Sequence, residues 1–462
     1  MTSTLELLAG IRRGQGRRLG LQIEEQIRRA IRSGTLRAGA RVPSTRDLAR
    51  QLGVSRPIVV DAYEQLAAEG YLAIKQGARP RVAATPIVAS SPAKADSRAE
   101  PPPRIDFTPA VPDLAAFPRT VWLRATREAL ATMTDDDLGY REPHGCDVLR
   151  RALAEYLGRA RGVLADPARI IVTSGFAQGR TLLCRALRAS GAKRIAVEDP
   201  SYSEWEPIRQ AGLEILPVPV DEDGIRVDVL ARTNADAVMV TPAHQAPTGV
   251  VLSGERRTAL LAWLRVRRAV ALEDDYDAEF RYDRSPVGAL QGMEPEHVVY
   301  AGTASKTLSP ALRLGWLVVP RHLQNAVQAA QIVADFGVSR IEQHALAWFL
   351  TNGKLDRHLR RMRARYRARR DTLVRALAAE IPEATVHGIA AGLHAIVRLP
   401  KRYDERAIHD EARRQGIAIG VLGDYRIRPR RTLPTILLGY ARCAEPTIEA
   451  GVRDLARVIR KG

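Results

Sequence analysis

The chain has 462 residues, 45% of them apolar, and a formal net charge of +19, which is enough for two or three domains with sizeable cores. Its cysteines (Cys146, Cys184 and Cys443) are odd in number and widely spaced, which excludes a disulfide framework and a cysteine-based metal motif. The sequence has no apolar run of membrane-spanning length and no signal-peptide pattern, so we expect a cytoplasmic protein without membrane contact.

The N-terminal module, residues 1–82, is the most basic part of the chain. It holds 15 Lys and Arg against 7 Asp and Glu, whereas the other 380 residues hold 56 and 45. The net charge per residue is therefore about three times higher in this module. Such a local excess predicts a polyanionic partner.

Capping and turn residues predict two short helices in this module. Ser44, followed three residues later by Asp47, is typical of a helix N-cap. Gly53 then provides a turn, and Ser55 caps a second helix that ends near Gly70. Two short helices joined by a tight glycine-containing turn are the helix-turn-helix pattern.

A β wing and a linker follow the two helices. Residues 71–82 form two short extended pieces around a glycine, with Lys75 and Arg79 at the tip. Residues 83–104 are rich in Ala, Pro and Ser and lack periodic apolar positions, which predicts a linker. The remaining domain spans residues 105–462.

This domain has an α/β pattern. Four short apolar runs alternate with helical segments, at residues 169–173, 194–197, 237–240 and 269–272. The pattern predicts buried parallel strands with crossover helices. Gly or Pro follows several of these runs, so loops lie at the carboxyl ends of the strands, where α/β folds build their sites.

Lys306 is a candidate nucleophile. The chain has seven lysines and 64 arginines, and Lys, unlike Arg, can lose its proton and react as an amine. Thr303 and Ser305 flank it, and Arg313 follows seven residues later. This pattern suits a Schiff base to a phosphorylated aldehyde cofactor. The alternative is a surface lysine in a polar turn.

Two stretches resemble known families. Residues 41–56 and 63–72 resemble the winged helix-turn-helix of GntR regulators, and residues 105–462 resemble fold-type I pyridoxal 5′-phosphate (PLP) aminotransferases. The two in this order resemble the MocR subfamily of bacterial transcriptional regulators. The resemblance implies a multi-domain protein, an α+β winged helix-turn-helix joined to an α/β aminotransferase-like domain. It also implies binding to double-stranded DNA, a homodimer, and PLP or an amino compound as effector.

The resemblance also assigns roles in a PLP site. It makes Lys306 the covalent attachment point, Asp274 the partner of the pyridine nitrogen with Asp275 as the alternative, Tyr276 a donor to the ring oxygen, and Tyr202 the stacking aromatic. The residues assigned to the phosphate are Gly175, Phe176 and Ala177 through their backbone, Thr303, Ser305, Arg313, and Tyr140 from the partner subunit.

Two departures bear on enzymatic activity. Ala246 stands where aminotransferases have an Asn, and His244 or Gln245 could compensate. Leu437 stands where catalytic relatives hold the substrate carboxylate with an Arg; four nearby arginines could substitute for it, Arg428, Arg430, Arg431 and Arg442. Without an arginine placed to hold the substrate carboxylate, turnover should be poor.

We therefore expect a PLP-binding regulator. The alternatives are an active aminotransferase with an attached DNA-binding module, and a domain that has lost PLP and serves only for dimerisation.

On the DNA side, the resemblance places the second helix of the motif in the major groove. The residues assigned to DNA are Arg41, Ser44, Thr45, Arg46, Ser55, Arg56, Lys75 and Arg79. Pro57 and Ile58 depart from the polar pair common at the start of this helix, so no operator sequence is predicted.

Overall fold

The computed structural model describes residues 16–75, 78–84, 101–202, 204–282, 287–388, 390–429 and 432–461. The chain divides into two compact units, Met1–Glu100 and Pro101–Gly462. Most of the predicted linker, residues 85–100, lies outside the described residues. In the part of the chain that is described, none of the helices combines the length and the apolar character needed to cross a bilayer.

The described residues of the first unit form three helices and a short hairpin. Its elements are α1 (Gly16–Arg32), α2 (Thr45–Leu52), α3 (Arg56–Ala68), β1 (Leu72–Ala73) and β2 (Arg81–Val82). The hairpin strands are antiparallel. The buried core takes one face from each element: Ile23, Ile27, Ile31, Leu48, Val59, Leu66, Leu72 and Val82.

The turn between α2 and α3 follows the sequence prediction in part. Ser44 caps α2, because its hydroxyl accepts a hydrogen bond from the Asp47 amide at 3.1 Å. Gly53 ends α2 in the left-handed conformation, with φ of 64°, which glycine adopts without steric cost. Ser55 is the N-cap residue of α3, as predicted, but its side chain makes no capping hydrogen bond.

The second unit is built on an eight-stranded mixed sheet. Its strands, in chain order, are β4 (Ile170–Thr173), β5 (Arg194–Asp199), β6 (Glu214–Asp221), β7 (Gly224–Ile225), β8 (Ala237–Val240), β9 (Val270–Asp274), β10 (Val298–Thr303) and β11 (Gly315–Val318). Their order across the sheet is β4-β11-β10-β9-β8-β5-β6-β7. The four predicted runs form β4, β5, β8 and β9. The sheet is mixed because β11 is antiparallel to both of its neighbours, and β7 is antiparallel to β6.

Helices cover the sheet on both faces. The helices of this unit are α4 (Arg119–Thr132), α5 (Asp135–Leu138), α6 (Asp147–Arg161), α7 (Phe176–Ala189), α8 (Glu206–Gln210), α9 (Val227–Leu230), α10 (Gly254–Arg267), α11 (Ala304–Thr307), α12 (Arg321–Ala334), α13 (Arg340–Thr351), α14 (Lys354–Glu380), α15 (Glu405–Arg414) and α16 (Glu445–Lys461). Met239 packs in a cluster with residues of α7 and α12, whereas its neighbour Val238 packs with residues of α10. Successive strand residues point to opposite faces, so α10 covers one face, and α7 and α12 the other.

A smaller sheet lies near the carboxyl end of the chain. It consists of β12 (Thr385–His387), β13 (His394–Arg398), β15 (Gly420–Val421) and β16 (Thr435–Gly439), in the order β12-β13-β16-β15. A separate parallel pair joins β3 (Ile105–Asp106) to β14 (Ile417–Ala418). The start of this unit is thereby tied to its C-terminal part.

The topology brings several predicted site residues to one edge of the large sheet. β9 and β10 are parallel, and β4 runs in the same direction because it and β10 are both antiparallel to β11. Asp274 ends β9, Lys306 follows β10, and Gly175 follows β4. Carboxyl ends of strands that point the same way share an edge, where α/β folds bind ligands.

Candidate cofactor site and nucleic-acid interface

The turn between β4 and α7 is a candidate phosphate cradle. Gly175 has φ of 80°, and α7 begins at Phe176. The Arg313 guanidinium lies beside this turn, because its Nη2 donates to the Ser174 carbonyl at 2.6 Å. The amide groups at a helix N-terminus favour anions, and an arginine beside them adds a charged donor. The turn therefore has the donors that a phosphate requires.

Lys306 lies on α11, directly after β10. Thr303 caps this helix by accepting a hydrogen bond from the Ser305 amide at 3.1 Å, and its hydroxyl donates to the Ser305 hydroxyl at 2.9 Å. The Lys306 amine donates to the Ala110 carbonyl at 2.8 Å. Burial lowers the pKa of Lys306, while the nearby Asp277 and Asp274 act in the opposite direction. A lowered pKa favours the unprotonated, nucleophilic amine.

Asp274 and Asp275 are adjacent in sequence and differ in environment. Asp275 forms a buried ion pair with Arg161, whose Nε donates to Oδ2 at 2.6 Å, and it accepts a hydrogen bond from the Tyr300 hydroxyl at 2.8 Å. Asp274 Oδ1 is buried and has no hydrogen-bond partner among the described residues. Burial, and then the charge of Asp275, raise the pKa of Asp274 to about 8. Asp274 is thus the carboxyl group with unused bonding capacity.

Tyr276, His244 and Asp277 form a buried polar cluster. His244 Nδ1 lies 3.1 Å from the Tyr276 hydroxyl and 3.0 Å from Asp277 Oδ2. His244 Nε2 has no partner among the described residues. A carboxylate beside one ring nitrogen fixes the tautomer and orientation of a histidine. His244 is therefore held at Nδ1, and its other ring nitrogen makes no hydrogen bond with the described residues.

Gln245, by contrast, is fully engaged within the protein. Its Nε2 donates to the Pro200 carbonyl at 2.9 Å and to Glu198 Oε2 at 3.2 Å, and its Oε1 accepts from the Thr248 hydroxyl at 2.6 Å. Of the two side chains that could compensate for Ala246, His244 is the one with a free polar atom.

The two predicted tyrosines lie in different surroundings. Tyr202 is 43% exposed, and its hydroxyl donates to Glu204 at 2.9 Å. Tyr140 is 98% exposed, and its ring lies 6.3 Å from that of Phe336. Tyr140 therefore presents nearly its whole side chain outward, as a contact to a partner subunit requires. Its contact with the phosphate of the partner subunit stays a prediction.

The position of the missing carboxylate clamp is also defined. Leu437 is fully buried in β16, paired with Ile396 of β13. Of the arginines that could substitute, Arg442 forms an ion pair with Asp106, and Arg428 is exposed. Arg430 and Arg431 lie outside the described residues.

Three groups at this site were missed by the sequence analysis. The Ala110 carbonyl holds the Lys306 amine, Asp277 holds His244, and Arg180 lies fully buried between aromatic rings. The sequence could have indicated Asp277, because it follows Tyr276 in the same acidic segment. No sequence pattern distinguishes the Ala110 backbone carbonyl, or Arg180 among 64 arginines.

In the first unit, the arginines and the lysine assigned to DNA are exposed, as is Ser55, while Ser44 and Thr45 are partly buried. The pKa of Asp47 is lowered first by the hydrogen bond from Ser44 and then by the charges of Arg50, Arg79 and Arg46. The wing residue Arg79 thus contributes to the same electrostatic surface as the α2 arginines. The contacts of these residues with DNA remain predictions.

Comparison with known proteins covers both units. Residues 19–82 match the gntR family of bacterial regulatory proteins, and residues 110–421 match the aminotransferase class I and II family. Similar proteins include the HTH-type pyridoxine biosynthesis transcriptional regulator PdxR of Corynebacterium glutamicum, 37% identical, with 83% of this chain and 84% of that protein covered. The probable rhizopine catabolism regulatory protein MocR of Rhizobium meliloti is 32% identical, with 94% and 92% covered.

Solved structures resemble the second unit. An archaeal alanine:glyoxylate aminotransferase aligns with a TM-score of 0.70 at 26% identity, covering 77% of this chain and 91% of that one. The predicted fold class and family are thereby confirmed. The chain belongs to the MocR-type group of gntR-family bacterial regulators, helix-turn-helix proteins with an aminotransferase class I and II domain, and it is a DNA-binding transcriptional regulator.

Proposed function

We propose that the second unit binds PLP covalently on Lys306, and that PLP occupancy or an amino compound controls the DNA binding of this regulator. The observation that carries the proposal is the meeting of three features at one sheet edge. These are a partly buried lysine amine, a carboxyl group with a buried oxygen that is unpaired among the described residues, and a glycine turn with an arginine beside it. The aminotransferase family to which this unit belongs uses PLP.

Each part of the cofactor has a matching group. The turn at Gly175 and the Arg313 guanidinium would hold the phosphate. Lys306 would hold the aldehyde carbon, and Tyr276 together with His244 would face the ring oxygen. Bound PLP supplies an electrophile that reacts with amines and a ring that accepts electrons. A protein that holds it can therefore recognise small amino compounds chemically.

Asp274, and not Asp275, would bind the pyridine nitrogen. A carboxylate must approach that nitrogen closely to keep it protonated. Both oxygens of Asp275 accept hydrogen bonds from Arg161, whereas Asp274 Oδ1 is unpaired among the described residues. An unsatisfied buried carboxyl oxygen is costly, and a pyridinium N–H would remove that cost.

Regulation requires two states of the protein with different affinities for the effector, because a ligand shifts an equilibrium only through such a difference. The similarity to a pyridoxine biosynthesis regulator supports PLP itself as effector. An amino compound that reacts with bound PLP is the other option.

Exposed Tyr140 supports a homodimer in which each subunit completes the phosphate site of the other. We also expect the protein to act in the cytoplasm.

Regulation rather than transamination is favoured by Leu437. Its buried apolar side chain cannot hold a substrate carboxylate. A half-transamination assay with an amino donor and a keto acceptor addresses this directly. Sustained conversion of both substrates would contradict the view of a pure regulator.

The test of PLP binding compares the visible spectra of wild type and Lys306→Ala, each incubated with PLP and then with candidate amines. The exposed lysine variant Lys401→Ala is the control. We expect a protein-bound PLP band in wild type and Lys401→Ala, and none in Lys306→Ala. A borohydride-reducible adduct in Lys306→Ala would show that the lysine assignment is wrong. The absence of a band in wild type would contradict PLP binding.

A further inference from the structure

Arg180 is a fully buried arginine in the wall of the proposed cofactor site. It lies on α7, four residues after Phe176. Its Cζ atom is 5.7 Å from the ring centre of Phe176 and 5.8 Å from that of Tyr202. Both rings belong to residues assigned to PLP. Arg180 itself is not among the residues assigned to the cofactor.

The guanidinium of Arg180 has few partners for a buried cation. Its Nη2 donates to Glu204 Oε2 at 3.4 Å, a long hydrogen bond to a carboxylate that is 56% exposed. Nε and Nη1 have no partner among the described residues. A buried charge with unsatisfied donors is unfavourable, and an apolar side chain of similar volume fills such a space at lower cost. Packing alone therefore does not account for an arginine here.

Asp274 is the second buried group with unused bonding capacity, and Arg180 acts on it. Burial and the charges of Asp275 and Asp277 raise the pKa of Asp274 and favour its neutral form. The charges of Arg180 and Lys306 lower that pKa and favour the carboxylate. The charges of both Arg180 and Asp274 also shift the pKa of Tyr202. The three groups therefore lie within one electrostatic neighbourhood.

Lys306 and Arg180, the two cations that act on Asp274, differ in how the binding of PLP affects them. Lys306 gives up its free ammonium group when it holds the cofactor. An arginine is a permanent cation in proteins, and Arg180 makes no covalent bond with the cofactor. Arg180 therefore continues to favour the ionised form of Asp274 after loading.

We propose that Arg180 is a positioning residue whose buried guanidinium keeps Asp274 ionised in the loaded site, so that the proton shared by Asp274 and the pyridine stays on the ring nitrogen. This inference rests on the proposed PLP function and adds a residue to it. Without Arg180 the same proton would move to the carboxyl oxygen, and the ring would become neutral pyridine. No other atom or electron is transferred.

The experiment loads full-length protein with PLP that carries ¹⁵N in its ring and measures the nitrogen chemical shift by NMR, which separates pyridinium from neutral pyridine. The neutral variants Arg180→Met and Arg180→Gln should move the resonance from the pyridinium toward the pyridine position. Arg180→Lys, which keeps the charge, should restore most of the wild-type shift. Circular dichroism and the thermal midpoint check that each variant is folded, and Arg180→Gln serves if the methionine disturbs packing.

Two controls separate charge from structure. Arg185→Met removes an exposed arginine of α7 and should leave the resonance unchanged. Glu204→Gln removes the anion that contacts both Arg180 and Tyr202 but keeps the guanidinium, and it should also keep the pyridinium shift. A Glu204→Gln shift as large as that of Arg180→Met would overturn the proposal in favour of a change in Tyr202 position.

The outcome also separates this inference from the function on which it rests. Failure of wild type to load PLP would contradict the proposed function. If wild type loads PLP and the neutral Arg180 variants keep the pyridinium shift, PLP binding stands and the role of Arg180 is wrong.

Discussion

Two adjacent aspartates in the candidate site have the same chemistry and different surroundings. Asp275 is neutralised by the Arg161 guanidinium at 2.6 Å, whereas Asp274 has a buried oxygen with no partner among the described residues. Removing a carboxylate from water favours its protonated form, and Asp275 next to it adds repulsion. The pKa of Asp274 is therefore about 8. A cationic ring partner would stabilise its carboxylate form.

This raised pKa predicts how the PLP-free protein responds to pH. In the unfolded chain Asp274 titrates near its ordinary pKa of about 3.9. Between that value and about 8, the folded state holds a proton that the unfolded state has lost. The stabilisation that this bound proton gives the folded state is therefore largest below pH 4, decreases as the pH rises, and no longer changes above pH 8. The expected slope is roughly 1.4 kcal/mol per pH unit within that window.

The Asn side chain in the Asp274→Asn variant does not titrate. The free energy of unfolding of this variant minus that of PLP-free wild type should therefore rise between pH 6 and 8 and then stay constant. Chemical denaturation at pH 6, 7, 8 and 9 measures this difference. Asp136→Asn, which changes a carboxylate that is 82% exposed, is the control. A difference between Asp274→Asn and wild type that does not change with pH would contradict the raised pKa.

At the scale of elements, the two helices of the DNA-binding motif begin differently. The Ser44 hydroxyl is used inside the protein, since it accepts from the Asp47 amide and donates to the Asp47 carboxylate at 2.7 Å. Ser55 is exposed and makes no capping bond, so its hydroxyl is available at the start of α3. Arg56, the first residue of α3, is exposed as well.

Arg56→Ala should weaken binding of the protein to duplex DNA and leave PLP binding unchanged. If Arg56 contacts one phosphate, the slope of log K against log salt should become shallower by about 0.9. Fluorescence anisotropy over a salt series measures both effects. Arg29→Ala is the matched control, because Arg29 is exposed on α1 and paired with Glu25. Identical curves for wild type and Arg56→Ala would remove Arg56 from the interface.

At the scale of the whole molecule, the second unit exposes apolar side chains on adjoining segments. Leu138 is 60% exposed, Tyr140 98%, Val333 82% and Phe336 52%. The centres of the Tyr140 and Phe336 rings are 6.3 Å apart, and Arg340 donates to the Asp137 carbonyl at 3.0 Å. Exposed apolar groups that cluster are typical of interaction surfaces. This surface includes the tyrosine predicted to reach the partner subunit.

Val333→Glu should therefore weaken the dimer and lower PLP affinity at the same time. Val333 is exposed near the end of α12, and Glu is a good helix former, so folding of the subunit should be unaffected. Light scattering gives the mass, and titration with PLP gives the affinity. Val266→Glu changes an equally exposed valine (83%) on α10 and should alter neither. A dimer that withstands Val333→Glu would place the interface elsewhere.

The order of the two units, the helix-turn-helix and the lysine that stands out among arginines were predictable from the sequence, because they depend on local spacing and residue type. The Ser44 cap and the Gly53 turn are set by residues within one helical turn of each other. The same holds for the glycine turn before α7. Patterns of this range are determined by backbone geometry and need no knowledge of the fold.

The choice between Asp274 and Asp275, the availability of His244 and the burial of Arg180 were decided by the tertiary structure alone. Asp275 is paired with an arginine 114 residues away in sequence, and His244 is held by an acid 33 residues away. Such contacts exist only after the strands align and the helices close over them. The sequence supplies the chemical groups, and burial and distance determine which of them remain free to bind a ligand.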